Sequence, residues 1–244
     1  MSPTRSEESR REISPGLTAR GLASPSALRD YRLIAFDMDS TLINIECVDE
    51  LADVVGRKPE VAALTEAAMR GEVTDYKDSL RRRVALLEGV READLLRVYE
   101  ERLRLNPGAA ELVLACKAAG LKVLLVSGGF TFFADRLRAR LGLDFARSNQ
   151  LEMAGGRLTG RMLDQSWGDI CDGDAKRRTL LDVCSLIGCA PAQTIAMGDG
   201  ANDVPMMSVA GLSVAYHAKP AVRAHAMVTI DSGGLDRLLE ILRP

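Results

Sequence analysis

Two aspartates one residue apart, Asp37 and Asp39, follow the apolar run Arg32-Leu-Ile-Ala-Phe. Alternate residues of an extended chain face the same side, so both carboxylates can address one small volume, as a metal site or as an acid/base pair. For D-x-D alone, a polar end to a strand with Ser40 and Thr41 as turn residues explains the pattern equally well. Two further clusters change that balance. Ser127-Gly128-Gly129 follows the apolar run 122–126, and Asp199, Asn202 and Asp203 follow the run 194–197. Several carboxylates, a hydroxyl and backbone N–H groups suit Mg²⁺, a hard ion that takes oxygen ligands and keeps waters or phosphate oxygens. The N–H groups opening a helix would add an anion cradle, and a carboxylate can attack phosphorus directly. The chemistry this set supports is phosphoryl transfer.

Such residues work together only if the strands that carry them end on one edge. The pattern predicts a helix over 109–119, a strand over 122–126, a helix over 131–141, a helix over 175–187 and a strand over 194–197, with a last short strand over 212–215 and an amphipathic helix over 235–242. Asp203 reads as the N-cap of a short helix with Pro205 in its first turn. Strands alternating with helices imply an α/β fold with a Rossmann-like parallel sheet, whose strand ends converge. Residues 150–153 and 157–163, flanking Ala154-Gly155-Gly156, predict a small β-hairpin. Residues 44–105 change character. Ile45, Val48, Leu51, Ala52 and Val55, then Leu80, Val84 and Leu87, then Leu95, Leu96, Val98 and Leu103 recur at helical spacing. This predicts a helical cap inserted after the first strand, with Asn106-Pro107-Gly108 marking the return, and a core made of 30–43 and 106–244. Residues 1–29, rich in Ser, Arg, Pro and Gly, are expected to form a mobile N-terminal arm, with a short helical piece near residues 27–31.

Composition limits the function classes. At 244 residues and 47% hydrophobic content the chain can bury a sizeable core, and a net charge of −2 with no strong basic patch argues against nucleic acid or an anionic membrane as partner. A small-molecule substrate is the better expectation. Five scattered cysteines, Cys47, Cys116, Cys171, Cys184 and Cys189, lack C-x-x-C spacing and fit reduced thiols in a cytoplasm. With His217 and His225 as the only histidines, a histidine zinc site or a Ser-His-Asp triad is disfavoured.

The motifs D-M-D-S-T-L, V-S-G-G-F, A-K and G-D-G-A-N-D, in that order, resemble those of the haloacid dehalogenase superfamily of phosphohydrolases. The insertion after the first motif, with N-I-E-C-V-D-E and S-L-R-R-R-V, and later Y-H-A-K-P, is similar to the phosphoserine phosphatase branch. The resemblance runs from about Tyr31 to the C-terminus. It implies Asp37 as nucleophile and Asp39 as general acid and then base. It implies Mg²⁺ held by the Asp37 carboxylate, the Asp39 backbone carbonyl and Asp199. Ser127, the Gly128 N–H and Lys176 would bind phosphate, with Asn202 and Asp203 orienting these groups. The implied reaction is hydrolysis of L-phosphoserine to L-serine, the last step of serine biosynthesis. Lys219 before Pro220 matches a family lysine, and a surface turn explains it equally well.

Arg83 can be weighed from periodicity. Arg81, Arg82 and Arg83 point about 100° apart around a helix, and Arg83 has Leu80, Leu86 and Leu87 at helical spacing, so it lies on the apolar side. An arginine there needs an anionic partner, and a substrate carboxylate gripped by the guanidinium fork would serve. Glu46 is the position where the resemblance places a partner for the substrate ammonium, although a glutamate in a first helical turn is favoured by the dipole alone. Met69 and Tyr76 are expected to close the apolar side of the pocket. Rival readings are a phosphatase for another small phosphomonoester, a phosphotransferase acting on homoserine, and a non-catalytic binding protein. The oligomeric state stays open, a homodimer included.

Overall fold

The computed structural model describes residues 10–22, 27–69 and 75–243, without the side chains of 65–69, so Met69 lies outside the described side chains. Among the described residues one sheet holds β1 (Arg11–Ser14), β2 (Leu17–Ala19), β3 (Leu33–Phe36), β4 (Lys122–Phe130), β5 (Phe145–Ala154), β6 (Arg157–Leu163), β7 (Thr194–Gly198), β8 (Leu212–Tyr216) and β9 (Val228–Ile230). Their spatial order is β1-β2-β9-β8-β7-β3-β4-β5-β6. The strands from β9 through β5 run parallel. The chain fills the sheet from β3 to β5 on one side, then from β7 to β9 on the other. β3 therefore sits where the order reverses, and ligands bind past the strand ends at such a point.

Between β3 and β4 the chain builds α1 (Cys47–Val54), α2 (Lys58–Met69), α3 (Tyr76–Ala85) and α4 (Glu92–Arg97), the last running into a wide turn over Val98–Arg102. Their apolar stripes, which include Leu51, Leu80, Val84, Leu95 and Val98, are buried. The hairpin of β5 and β6 docks on this insertion through backbone: Gly89 N–H to the Leu158 carbonyl at 2.9 Å, and Leu158 N–H to the Val90 carbonyl at 2.8 Å.

α5 (Ala109–Ala118) and α6 (Thr131–Leu141) cover one face of the sheet, while α7 (Gly173–Ile187), α8 (Val204–Val209) and α9 (Pro220–His225) cover the other. Along β3 the alternation is visible directly, since Ile34 and Phe36 join the first layer and Leu33 and Ala35 the second. All four residues are fully buried, and each of the larger ones contributes about 1.5–3 kcal/mol.

Three expectations are corrected. Residues 11–19 are not a mobile arm. β1 and β2 form a hairpin turning at Pro15-Gly16, and β2 pairs antiparallel with β9, Leu17 opposite Ile230. Leu17 is fully buried, which is the energetic reason for the pairing. Residues 1–9 and 23–26 of the expected arm lie outside the described residues. The strand over 212–215 is not the last, because β9 follows it. The expected C-terminal α-helix is a 3-10 segment, Leu235–Glu240, that buries Leu235 and Leu238. The short helical piece near 27–31 is a 3-10 turn, Leu28–Asp30, with Leu28 buried.

Candidate active site

Register sets the site. Phe36 lies opposite Leu125 of β4 and Met197 of β7, so Asp37, Ser127 and Asp199 come together just beyond these pairs. Asp37 still donates its N–H to the Met197 carbonyl at 3.0 Å. The chain then turns over Met38–Leu42, where Ser40 takes a left-handed backbone with φ 58°. The Asn106 amide donates to the Thr41 and Ile43 carbonyls at 2.8 and 3.0 Å, which ties this turn to the chain returning from the insertion.

Lys176, on α7, is wholly buried and donates to Asp37 Oδ1 at 2.6 Å and to Asp203 Oδ1 at 2.7 Å. Burial alone would lower the pKa of this lysine, but Asp203 and Asp37 outweigh it and hold the ammonium protonated. Asp203 stands at the N-cap position of α8 without capping it by side chain. Its Oδ2 instead accepts the N–H groups of Asp199 and Gly200 at 3.2 and 3.0 Å. The expected cap is thus a clamp that joins Lys176 to the loop bearing Asp199.

Asp39 is turned away from this group. Its carboxyl accepts the Cys47 N–H at 3.3 Å and the Cys47 thiol at 3.1 Å, at the start of α1. Burial, and then the Glu46 charge, push the Asp39 carboxyl up to about 8, which favours its protonated form. The two aspartates of one motif therefore have different partners, Asp37 the Lys176 ammonium and Asp39 the Cys47 thiol and N–H.

The end of β4 forms a cradle. Ser127 Oγ accepts the Gly129 N–H at 2.8 Å and keeps its own proton to give. Asn149, fully buried on β5, donates to the Gly128 carbonyl at 2.7 Å and accepts the Cys171 N–H at 2.8 Å, which fixes the cradle against the approach to α7. Sequence reasoning missed Asn149, which stands among other polar residues of β5, Arg147, Ser148 and Gln150, and so gives no local signal. It also took Thr41 for a turn residue only, whereas its hydroxyl donates to Asp199 Oδ1 at 3.1 Å. Cys47 was read as one more reduced thiol, not as a donor to Asp39.

A cavity of about 270 Å³ opens on these groups. The sheet side contributes Asp37, Asp39, Ser127 and Gly128, and Asn202 and Lys219 border it from their loops. The helical insertion contributes Glu46, Tyr76 and Arg83. The three consecutive arginines have three different fates: Arg81 pairs with Asp169 at 2.7 Å, Arg82 pairs with Asp78 at 2.8 Å, and the buried Nε of Arg83 has no hydrogen-bond partner. Glu46 accepts the Ser40 hydroxyl at 2.6 Å.

The donor set fits a hard divalent cation. Carboxylate oxygens of Asp37, Asp199 and Asp203 lie within 4.8 Å of one another. Burial and the neighbouring Asp203 push the Asp37 carboxyl upward, and the same two causes push Asp199 up to about 6. A cluster of carboxylates with one ammonium among them is short of positive charge, and oxygen donors of this kind are those Mg²⁺ and similar ions take. The Asp39 carboxylate is not part of this group.

Comparison with known proteins agrees with the geometry. Residues 34–208 match the haloacid dehalogenase-like hydrolase family. The chain is 69% identical, over 95% of its own length and 98% of the relative's, to a phosphoserine phosphatase of Albidiferax ferrireducens. It is similar in structure to a probable phosphoserine phosphatase from Vibrio cholerae in unliganded form, with a TM-score of 0.80 and 43% identity over 92% of this chain and 68% of the other. A substrate-bound phosphoserine phosphatase complex aligns with a TM-score of 0.80 and 35% identity over 87% of this chain and 99% of the other. With the motifs, the switch-point site and these relatives in agreement, the chain belongs to the haloacid dehalogenase-like hydrolases, among the phosphoserine phosphatases.

Proposed function

We propose that this chain hydrolyses L-phosphoserine to L-serine and inorganic phosphate through an aspartyl-phosphate on Asp37, the last step of serine biosynthesis. Residues 44–105 act as the cap, and 30–43 with 106–244 as the core. Asp37 attacks phosphorus, the bond from phosphorus to the seryl oxygen breaks, and Asp39 gives that oxygen its proton. Asp39, now a carboxylate, takes a proton from water. The resulting hydroxide attacks phosphorus and releases Asp37 and phosphate. Ser127 and the Gly128 N–H hold phosphoryl oxygens, and Lys176 offsets charge on nucleophile and phosphate. Asp37, Asp199 and the Asp39 carbonyl are the groups that would hold Mg²⁺. Bound there, the ion polarises a phosphoryl oxygen and offsets negative charge. Asp203 positions Lys176 and the Asp199 loop through the bonds described above.

The observation that carries the choice of substrate is Arg83, a guanidinium at the cavity wall whose buried Nε lacks a partner. It is suited to a carboxylate. Glu46, bordering the same cavity, is suited to an ammonium, and Asn202 closes the loop side. Free cysteines at all five positions support a reducing, cytoplasmic setting. No helix among the described residues is long and apolar enough to cross a membrane.

A panel of phosphomonoesters assayed with and without acceptor alcohols tests the reading. Phosphoserine is expected to be the preferred substrate, EDTA to abolish turnover and Mg²⁺ to restore it, with no acceleration by homoserine. Preference for another phosphomonoester, or transfer to an alcohol faster than to water, would overturn it.

A further inference from the structure

We propose that the Tyr76 hydroxyl is a further phosphate-binding group, a donor carried by the helical insertion that closes over the phosphoryl oxygens opposite the Ser127-Gly128 cradle. The proposal rests on the reading of the site as one for phosphomonoesters.

Tyr76 is the first residue of α3, and Asp75 caps that helix by accepting the Lys77 N–H at 2.8 Å. The cap fixes where α3 begins and so where the Tyr76 ring enters the cavity. The ring packs against the apolar core, as expected of a residue on the apolar side of a pocket. The hydroxyl does something else. A methyl group added at Gly128 would lie 2.0 Å from Tyr76 Oη, so the hydroxyl reaches across from the insertion to the cradle itself. Gly128 does not have the left-handed backbone that would by itself call for glycine. A side chain there would have to displace the Tyr76 hydroxyl.

This hydroxyl makes no hydrogen bond with the protein among the described residues, and Tyr76 borders the cavity. Burial raises the phenol well above its ordinary pKa, with Lys176, Arg83 and Asp37 also acting on it. It stays a neutral O–H donor at any working pH. An unpartnered donor within reach of the Gly128 cradle, in a partly desolvated cavity, matches an anionic oxygen better than any neutral group. The consequence is a division of labour within the insertion. Arg83 and Glu46 read the amino-acid end of the substrate, whereas Tyr76 reads the phosphoryl group that all phosphomonoesters share.

Tyr76→Phe keeps the ring and removes only the oxygen. Expected is a fall in kcat/KM of roughly 10- to 100-fold, the loss typical of a hydrogen bond to a charged group, by the same factor for phosphoserine, phosphoethanolamine and p-nitrophenyl phosphate. The inhibition constant of inorganic phosphate should rise in parallel, while the melting temperature stays near that of the parent. Unchanged phosphate inhibition and kcat/KM would overturn the proposal. So would a loss confined to phosphoserine, which would assign the hydroxyl to the amino-acid end. A parent enzyme that prefers another phosphomonoester would refute the phosphoserine reading, yet leave this comparison intact, because its probe is inorganic phosphate.

Discussion

Lys176 holds Asp37 at 2.6 Å from a position with no solvent exposure, and the same ammonium holds Asp203 at 2.7 Å. The nucleophile of the proposed reaction is thereby fixed in one rotamer with one oxygen engaged. A buried lysine is tolerated because it is paired twice, and the two carboxylates are tolerated because they share it.

Replacing Lys176 by Met should therefore cost stability as well as activity. The variant leaves Asp37 and Asp203 facing each other unpaired, a change worth about 3–5 kcal/mol at a buried site, to be read from urea unfolding. Adding Asp203→Asn should recover part of the stability and none of the turnover. Unaltered stability in Lys176→Met would contradict the buried triad.

The different settings of Asp37 and Asp39 lead to different kinetic signatures. Asp37→Asn removes the nucleophilic charge, so turnover should fall by several orders of magnitude and no phosphoenzyme should be trapped on acid quenching. Asp39→Asn leaves the nucleophile. An aryl phosphate, whose leaving group needs little protonation, should then lose less in single-turnover phosphoenzyme formation than phosphoserine does. Equal losses for the two substrates would argue against proton donation by Asp39 in that step.

How much of this was legible in the sequence depends on how local each feature is. Asp37, Ser127 and Asp199 could be found because buried strands that stop on polar groups violate apolar patterning at one point in the chain. Arg83 could be placed by counting turns. The β1–β2 hairpin could not be read from residues 1–29, since its stability comes from Leu17 pairing with Ile230 at the far end of the chain, and its own composition is that of a loop. β9, three residues long, has too short a pattern to stand out. Asn149 and Cys47 escaped for a related reason, namely that their partners, Gly128 and Asp39, are set by tertiary packing. Asp203 occupies the N-cap position that a local rule predicts, but its side chain makes no cap bond and clamps Lys176 instead.

The hairpin has a measurable role. Leu17 is fully buried against the core, and β2 covers the outer edge of β9. Leu17→Ala should destabilise by about 2–5 kcal/mol, and exposure of that edge should promote association on warming. The kcat of the folded protein should stay near that of the parent, because the site is built from other strands. Denaturant titration with light scattering checks the first point and an activity assay the second. A neutral effect on stability would mean that the hairpin adds nothing to the sheet.

Neighbouring arginines on α3 provide an internal control for specificity. Arg82 is exposed and satisfied by Asp78 one turn away, so Arg82→Ala should change phosphoserine kinetics little, as expected for a surface pair. Arg83 borders the cavity with its Nε unpartnered. Arg83→Ala should raise KM for phosphoserine strongly, by the equivalent of about 2–5 kcal/mol when a carboxylate loses its partner in a partly desolvated pocket. Phosphoethanolamine has no carboxylate, so its turnover should change little and the preference between the two substrates should collapse. This pattern separates Arg83 from Tyr76, whose loss should weaken both substrates alike. If Arg82→Ala and Arg83→Ala harm phosphoserine equally, or if Arg83→Ala lowers both substrates by one factor, then Arg83 supports the fold of the insertion and the carboxylate must be bound elsewhere.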